Sequence, residues 1–93
     1  MSEREKVLII DHEVDLCLLM KTYFLRKNYE VCIAHTFIDA LPIARKYQPD
    51  FIFLDTAVCQ NPEEDIKQFK QEIPGAKIIF NDHNNQSQFR LKL

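Results

Sequence analysis

Carboxylates and imidazoles gather at three places in this sequence, each directly after a short apolar run. Residues 7–10 (VLII) lead into Asp11, His12 and Glu13. Residues 51–54 (FIFL) lead into Asp55. Residues 77–80 (KIIF) lead into Asn81, Asp82 and His83. Clustered carboxylates hold a hard divalent cation, and one of them can attack phosphorus to form an acyl phosphate. Imidazoles in the same place suit zinc, nickel or copper instead. A metal or small-ligand site built from Asp11, His12, Asp55 and His83 is therefore one reading. The plain alternative is that polar residues mark where strands meet solvent, with His12 and His83 as exposed loop residues. No nucleophile–base pair of a hydrolase stands out, so the chain is not expected to be an enzyme.

Whether these groups meet depends on the elements between them. Residues 7–10, 31–34 (VCIA), 51–54 and 77–80 are short, mainly apolar runs, the pattern of strands buried on both faces. After the first run the period changes. Leu16, Leu19, Met20, Tyr23 and Phe24 fall at i, i+3, i+4, i+7 and i+8, which predicts a helix over about 14–27 with that face inward. Asn28 is its stop. On the same count Cys17 faces outward, and Val14, Leu18 and Leu25 lie opposite the buried face. Thr36 caps a second predicted helix running to about Tyr47, with Asp39 in its first turn. Pro42 fits that helix only if it starts near Asp39, because the first helical N–H groups have no partner. Pro62, followed by Glu63, Glu64 and Asp65, opens a third helix to about Glu72, which Pro74-Gly75 stops. The order β-α-β-α-β-α-β predicts a parallel α/β sheet with helices on both faces and right-handed crossovers. Ligands of such sheets bind at the carboxyl ends of the strands, where the polar residues above lie.

Ninety-three residues suffice for one core, so residues 1–93 are read as one domain. Apolar residues make up 46% and charged residues 28%, which argues against intrinsic disorder. The net charge is −2, balanced in both halves, so neither a nucleic acid nor an anionic membrane is an expected partner. The opening segment is charged, and its apolar run of four residues is too short for a signal-peptide core or a membrane span. The three cysteines, Cys17, Cys32 and Cys59, form no CxxC pair. A cytoplasmic location with reduced thiols is expected. Cys59, in the loop after Asp55, is the one cysteine with an argument as a redox sensor; an incidental or buried cysteine is the alternative. His35, after the second strand, is expected to face solvent.

In this order and spacing the motifs carry a resemblance. VLIIDHEVDL with LLMKTYF and NYEV is similar to the opening of two-component response-regulator receiver domains. Asp39-Ala40-Leu41 resembles the family's second helix. Pro49 through Asp55 (PDFIFLD) resembles the segment that ends in the phospho-acceptor, and residues 77–80 match the fourth strand. The resemblance implies a three-layer, flavodoxin-like (CheY-like) fold of strand order 2-1-3-4, here without the family's last strand and helices. It implies phosphotransfer in a two-component phosphorelay, from a histidine kinase or phosphotransfer protein to Asp55. It also implies Mg²⁺, held by Asp11, Asp55 and a second acid after the first strand.

The sequence departs from that pattern. The second acid is His12, a poor magnesium ligand, which weakens the expected ion; Glu13 is a weak substitute one residue on. Asn81 stands where the family has Ser or Thr, and its amide can donate to a phosphoryl oxygen. Cys59 replaces a proline. The family's lysine after strand five has no counterpart. The alternative is therefore a non-phosphorylated pseudo-receiver that acts as a protein–protein adaptor. Val14, Leu18 and Leu25 are the candidate interface, giving a homodimer through helix one. The tail, residues 86–93, alternates apolar and polar and reads as an extra edge strand beside strand four or against another chain, with a disordered tail as the alternative.

Overall fold

A computed structural model describes residues 4–81. The elements are β1 (Lys6–Ile10), α1 (Val14–Arg26), β2 (Glu30–Ala34), α2 (Phe37–Tyr47), β3 (Phe51–Asp55), α3 (Pro62–Glu72) and β4 (Lys77–Asn81), with a single 3₁₀ turn over Thr56–Val58. All pairings are parallel, and the strands lie in the order β2-β1-β3-β4. Fold class and strand order are those expected from the sequence. The 86–93 tail lies outside the described residues, as do Asp82 and His83. Among the described residues no helix is long and apolar enough to cross a membrane.

Two cores follow from the alternation of side chains along the strands. Leu8, Ile10, Ile52 and Leu54 face α2 and α3, where Ala40, Ala44, Phe69 and Ile73 close over them. Val7 and Ile9 face α1 and meet Cys17, Met20 and Phe24, with Phe51 and Phe53 packed alongside. Val7 through Ile10 are at most 1% exposed, so β1 is covered on both faces, as its unbroken apolar run requires. Each such Leu or Ile contributes roughly 1.5–3 kcal/mol on burial. Small residues on α2, Ala40 and Ala44, let that helix approach the sheet closely. Phe69 of α3 fills the space beyond them and meets Phe37 edge-on at 5.2 Å between ring centres.

α1 is rotated from the sequence reading. Its buried residues are Cys17, Met20 and Phe24. Cys17 was expected to face outward and is 0% exposed; Leu19 was expected inward and is 50% exposed. The inward stripe thus runs one residue to the side of the one centred on Leu16. The reason lies at the start of the helix. α1 begins at Val14 directly after the turn from β1, and the Cys17 thiol reaches back to the Asp11 carbonyl at 3.4 Å, which turns residue 17 to the sheet. Val14, Leu18 and Leu25 remain on the outer side, 55%, 53% and 48% exposed.

α2 also starts earlier than Pro42 suggested. The Thr36 hydroxyl accepts the Asp39 N–H at 3.1 Å, so the helix starts at Phe37 and Pro42 sits in its interior. Pro42 has no N–H for the Ile38 carbonyl four residues back. Both residues are exposed, Ile38 by 80%, so water can serve that carbonyl. Interior proline still costs about 3 kcal/mol against alanine, and its stiffening of the unfolded chain offsets up to about 1 kcal/mol of that. Pro42→Ala is therefore expected to stabilise the chain by about 1–3 kcal/mol. Urea unfolding measures this directly; an unchanged or lower midpoint would contradict it.

Candidate functional site

The site is built by register. Ile10 of β1 pairs with Leu54 of β3, so the next residues, Asp11 and Asp55, stand side by side at the carboxyl edge. The Asp11 N–H donates to the Ala34 carbonyl at 3.0 Å, which extends the β1–β2 ladder by one step. Both aspartates are 1% exposed. Each turns one oxygen back to its own loop: Asp11 Oδ1 accepts the Glu13 N–H at 2.9 Å, and Asp55 Oδ1 accepts the Ala57 N–H at 3.0 Å. These short-range bonds are what aspartate makes at a strand end before a turn.

His12 closes the site. Its Nδ1 lies 2.9 Å from Asp55 Oδ2 and 3.8 Å from Asp11 Oδ1. An ionised carboxylate only accepts, so with Asp55 ionised the proton lies on Nδ1, which donates. The side chain is 56% exposed. It is thus a loop residue facing solvent, as the plain reading had it, with one ring nitrogen turned onto Asp55. Asp11, His12 and Asp55 each present a ligand atom within 4.8 Å of the others. Glu13 is outside this group and contributes its N–H, with its side chain exposed. The Asn81 backbone pairs with Asp55 in the β3–β4 register. His83, the remaining candidate, lies outside the described residues.

The donor set bears on the ion. Two buried carboxylates fit magnesium, which takes oxygen ligands in an octahedron. The third donor is an imidazole nitrogen, which does not. Magnesium thus meets two suitable ligands and one that suits a different metal.

Sequence reasoning missed the support behind Asp11. His35 Nδ1 donates to the Asp11 carbonyl at 2.8 Å, and the Cys17 thiol donates to the same oxygen at 3.4 Å. His35 is exposed, as expected, but its ring is engaged. The signal was available: Ala34 pairs with Ile10, so His35 follows β2 as Asp11 follows β1. Burial pushes the Cys17 thiol from 9.0 up to about 11, helped by the charges of Asp11, Asp55 and Glu13. Burial also pushes the Cys59 thiol up to about 11, helped by Asp65 and Asp55. A redox sensor needs a lowered thiol pKa, so Cys59 does not suit that role.

No protein-family model matches the sequence, and no curated protein matches it. Solved structures match its fold. A CheY-like response-regulator receiver domain protein from Methanospirillum hungatei JF-1 superposes with a TM-score of 0.80 at 20% identity, over 91% of this chain and 72% of that one. A response regulator from Thermotoga maritima gives 0.78 at 19%, over 86% and 67%. A response regulator from Burkholderia pseudomallei, solved with a phosphorylated aspartic acid, a calcium ion and citrate, gives 0.77 at 23%, over 84% of this chain and 46% of that one. At these identities the likeness establishes the fold: the described residues have the CheY-like, flavodoxin-like architecture of receiver domains.

The raised Cys17 thiol makes stability depend on pH. Between about pH 9 and 11 the folded chain keeps a proton that the unfolded chain releases. Its stabilising effect is complete below pH 9 and is lost as pH rises to about 11. For a thiol that solvent does not reach, two pKa units correspond to about 2–3 kcal/mol. Unfolding of wild type and Cys17→Ala, compared at about pH 8 and about pH 11, checks this. The loss on raising the pH is expected to be larger in wild type by about that amount; equal losses would contradict it.

Proposed function

We propose that this chain is a receiver module of a two-component phosphorelay, in which Asp55 accepts a phosphoryl group from a histidine kinase or phosphotransfer protein. The observation that carries the reading is Asp55 itself, buried at the end of β3 beside Asp11, in a fold shared with response regulators. The Burkholderia pseudomallei neighbour holds a phosphorylated aspartic acid and a calcium ion, which supports the chemistry. One Asp55 oxygen attacks the phosphorus of a phosphohistidine; the new P–O bond forms as the P–N bond breaks, and the departing imidazole keeps the electron pair and takes a proton from water. Asn81 stands at the sequence position where the family has Ser or Thr. Magnesium would be held by Asp11 and Asp55 and would neutralise charge on the transferred group. His12 in place of a second acid weakens that hold. The role is one of signalling rather than turnover, and it belongs in the cytoplasm.

A dimer is proposed beside it, through the outer face of α1. Val14, Leu18 and Leu25 are half exposed there, and two leucines seven apart form one stripe. β4, an end strand of the sheet among the described residues, is the other surface proposed for a second copy. Leu18→Glu with Leu25→Glu is expected to convert a dimer to a monomer in sedimentation with the fold intact. A wild-type chain that stays monomeric at high micromolar concentration removes the α1 interface.

The acceptor reading is tested by intact mass after incubation with acetyl phosphate and Mg²⁺. One phosphate adduct is expected on the wild type and none on Asp55→Asn. His12→Asp is expected to raise both magnesium affinity and the rate of adduct formation by restoring the acidic pair. No adduct on either wild type or His12→Asp overturns the acceptor reading and leaves the adaptor.

A further inference from the structure

We propose that the Asp11–His12–Asp55 group is a site for a late first-row divalent ion of the zinc type, in preference to magnesium. It concerns the same residues as the acceptor reading but requires no phosphoryl transfer. With the ring proton moved from Nδ1 to Nε2, the His12 Nδ1 lone pair and two carboxylate oxygens form a mixed donor set that zinc, cobalt and nickel accept readily. Magnesium prefers oxygen alone and gives up water reluctantly.

The geometry is close to what such an ion needs. A tetrahedral ion with bonds of about 2.1 Å holds its donors about 3.4 Å apart. His12 Nδ1 stands 2.9 Å from one carboxylate and 3.8 Å from the other, on either side of that spacing. The three donor atoms lie within 4.8 Å of one another, and the adjustment falls to the His12 ring, the most exposed member of the set. The aspartates do not share that exposure. Both are 1% exposed, at the ends of paired strands, and each has an oxygen fixed by a backbone N–H, from Glu13 and from Ala57. Such outer contacts orient ligands and raise affinity. Among the described residues, Cys17 and His35 both turn to the Asp11 carbonyl.

The test is isothermal titration of the full chain with zinc chloride and, separately, magnesium chloride. One saturable zinc site is expected, about 100-fold or more tighter than magnesium. His12→Ala is expected to weaken zinc about tenfold or more. His12→Asp is expected to weaken zinc and tighten magnesium. Cys59→Ser is expected to leave zinc within about twofold, since that residue is not among the proposed ligands. Cobalt(II) is expected to give a visible spectrum without thiolate charge-transfer bands. Far-UV circular dichroism of each variant establishes that it is folded. No saturable zinc binding, a zinc affinity unchanged in folded His12→Ala, or thiolate bands with cobalt would each overturn the proposal. The phosphate-adduct measurement is made with magnesium and reads mass, so either reading can fail while the other stands.

Discussion

The parallel register of β1 on β3 is the constraint on which the rest of the molecule depends. Val7 pairs with Phe51 and Ile10 with Leu54. That register sends Leu8, Ile10, Ile52 and Leu54 to α2 and α3, and Val7, Ile9, Phe51 and Phe53 to α1. A slip of one residue would turn a strand's whole apolar set to the wrong face. It would also shift Asp11 along Asp55 by about 3.3 Å, one strand step. Core and site are thus held by the same pairing, and the hydrophobic cost of a slip protects the spacing of the carboxylates.

Two buried carboxylates side by side are expensive unless each is hydrogen-bonded. The loops contribute an N–H to each, and His12 contributes a donor to Asp55. A third carboxylate at position 12 would add like charge where a divalent ion must then compensate it. The imidazole instead gives the pair a partner that is part of the chain. What the fold gains in self-sufficiency it gives up in fit to an oxygen-loving ion, and this trade separates the site from one with two acids after β1.

How much of this was legible depended on how strongly each residue type constrains its surroundings. The four strands were readable because an apolar run of four, bounded by turn residues, has few other uses. The carboxyl-edge placement of Asp11 and Asp55 followed from the order of elements. α1 was misread because it is apolar on several sides: Leu16, Cys17, Leu18, Leu19 and Met20 are consecutive, so periodicity left two stripes one residue apart. Cys17 carried little weight in that count, and the bond from its thiol to the Asp11 carbonyl is tertiary. Pro42 was misread for the opposite reason. A strong local rule placed the start of α2 near Asp39, and the Thr36 cap together with packing of Ala40 and Ala44 overrode it. The contact from His12 to Asp55 joins residues 43 apart and depends on a ring rotation that no sequence pattern encodes.

At the opposite edge of the sheet one residue does a different job. Asp50 accepts the Lys6 N–H on its carboxylate at 2.8 Å, donates its own N–H to the Lys6 carbonyl at 2.9 Å, and accepts the Lys77 N–H on its carbonyl at 2.9 Å. A single aspartate therefore laces β1, β3 and β4 together where they begin. Where those strands end, the aspartates spend their oxygens on their own loops and on His12. The sheet behaves like a book bound along one spine. Amide exchange at Lys6, Asp50 and Lys77 should therefore slow as one unit, since one residue partners or bears all three.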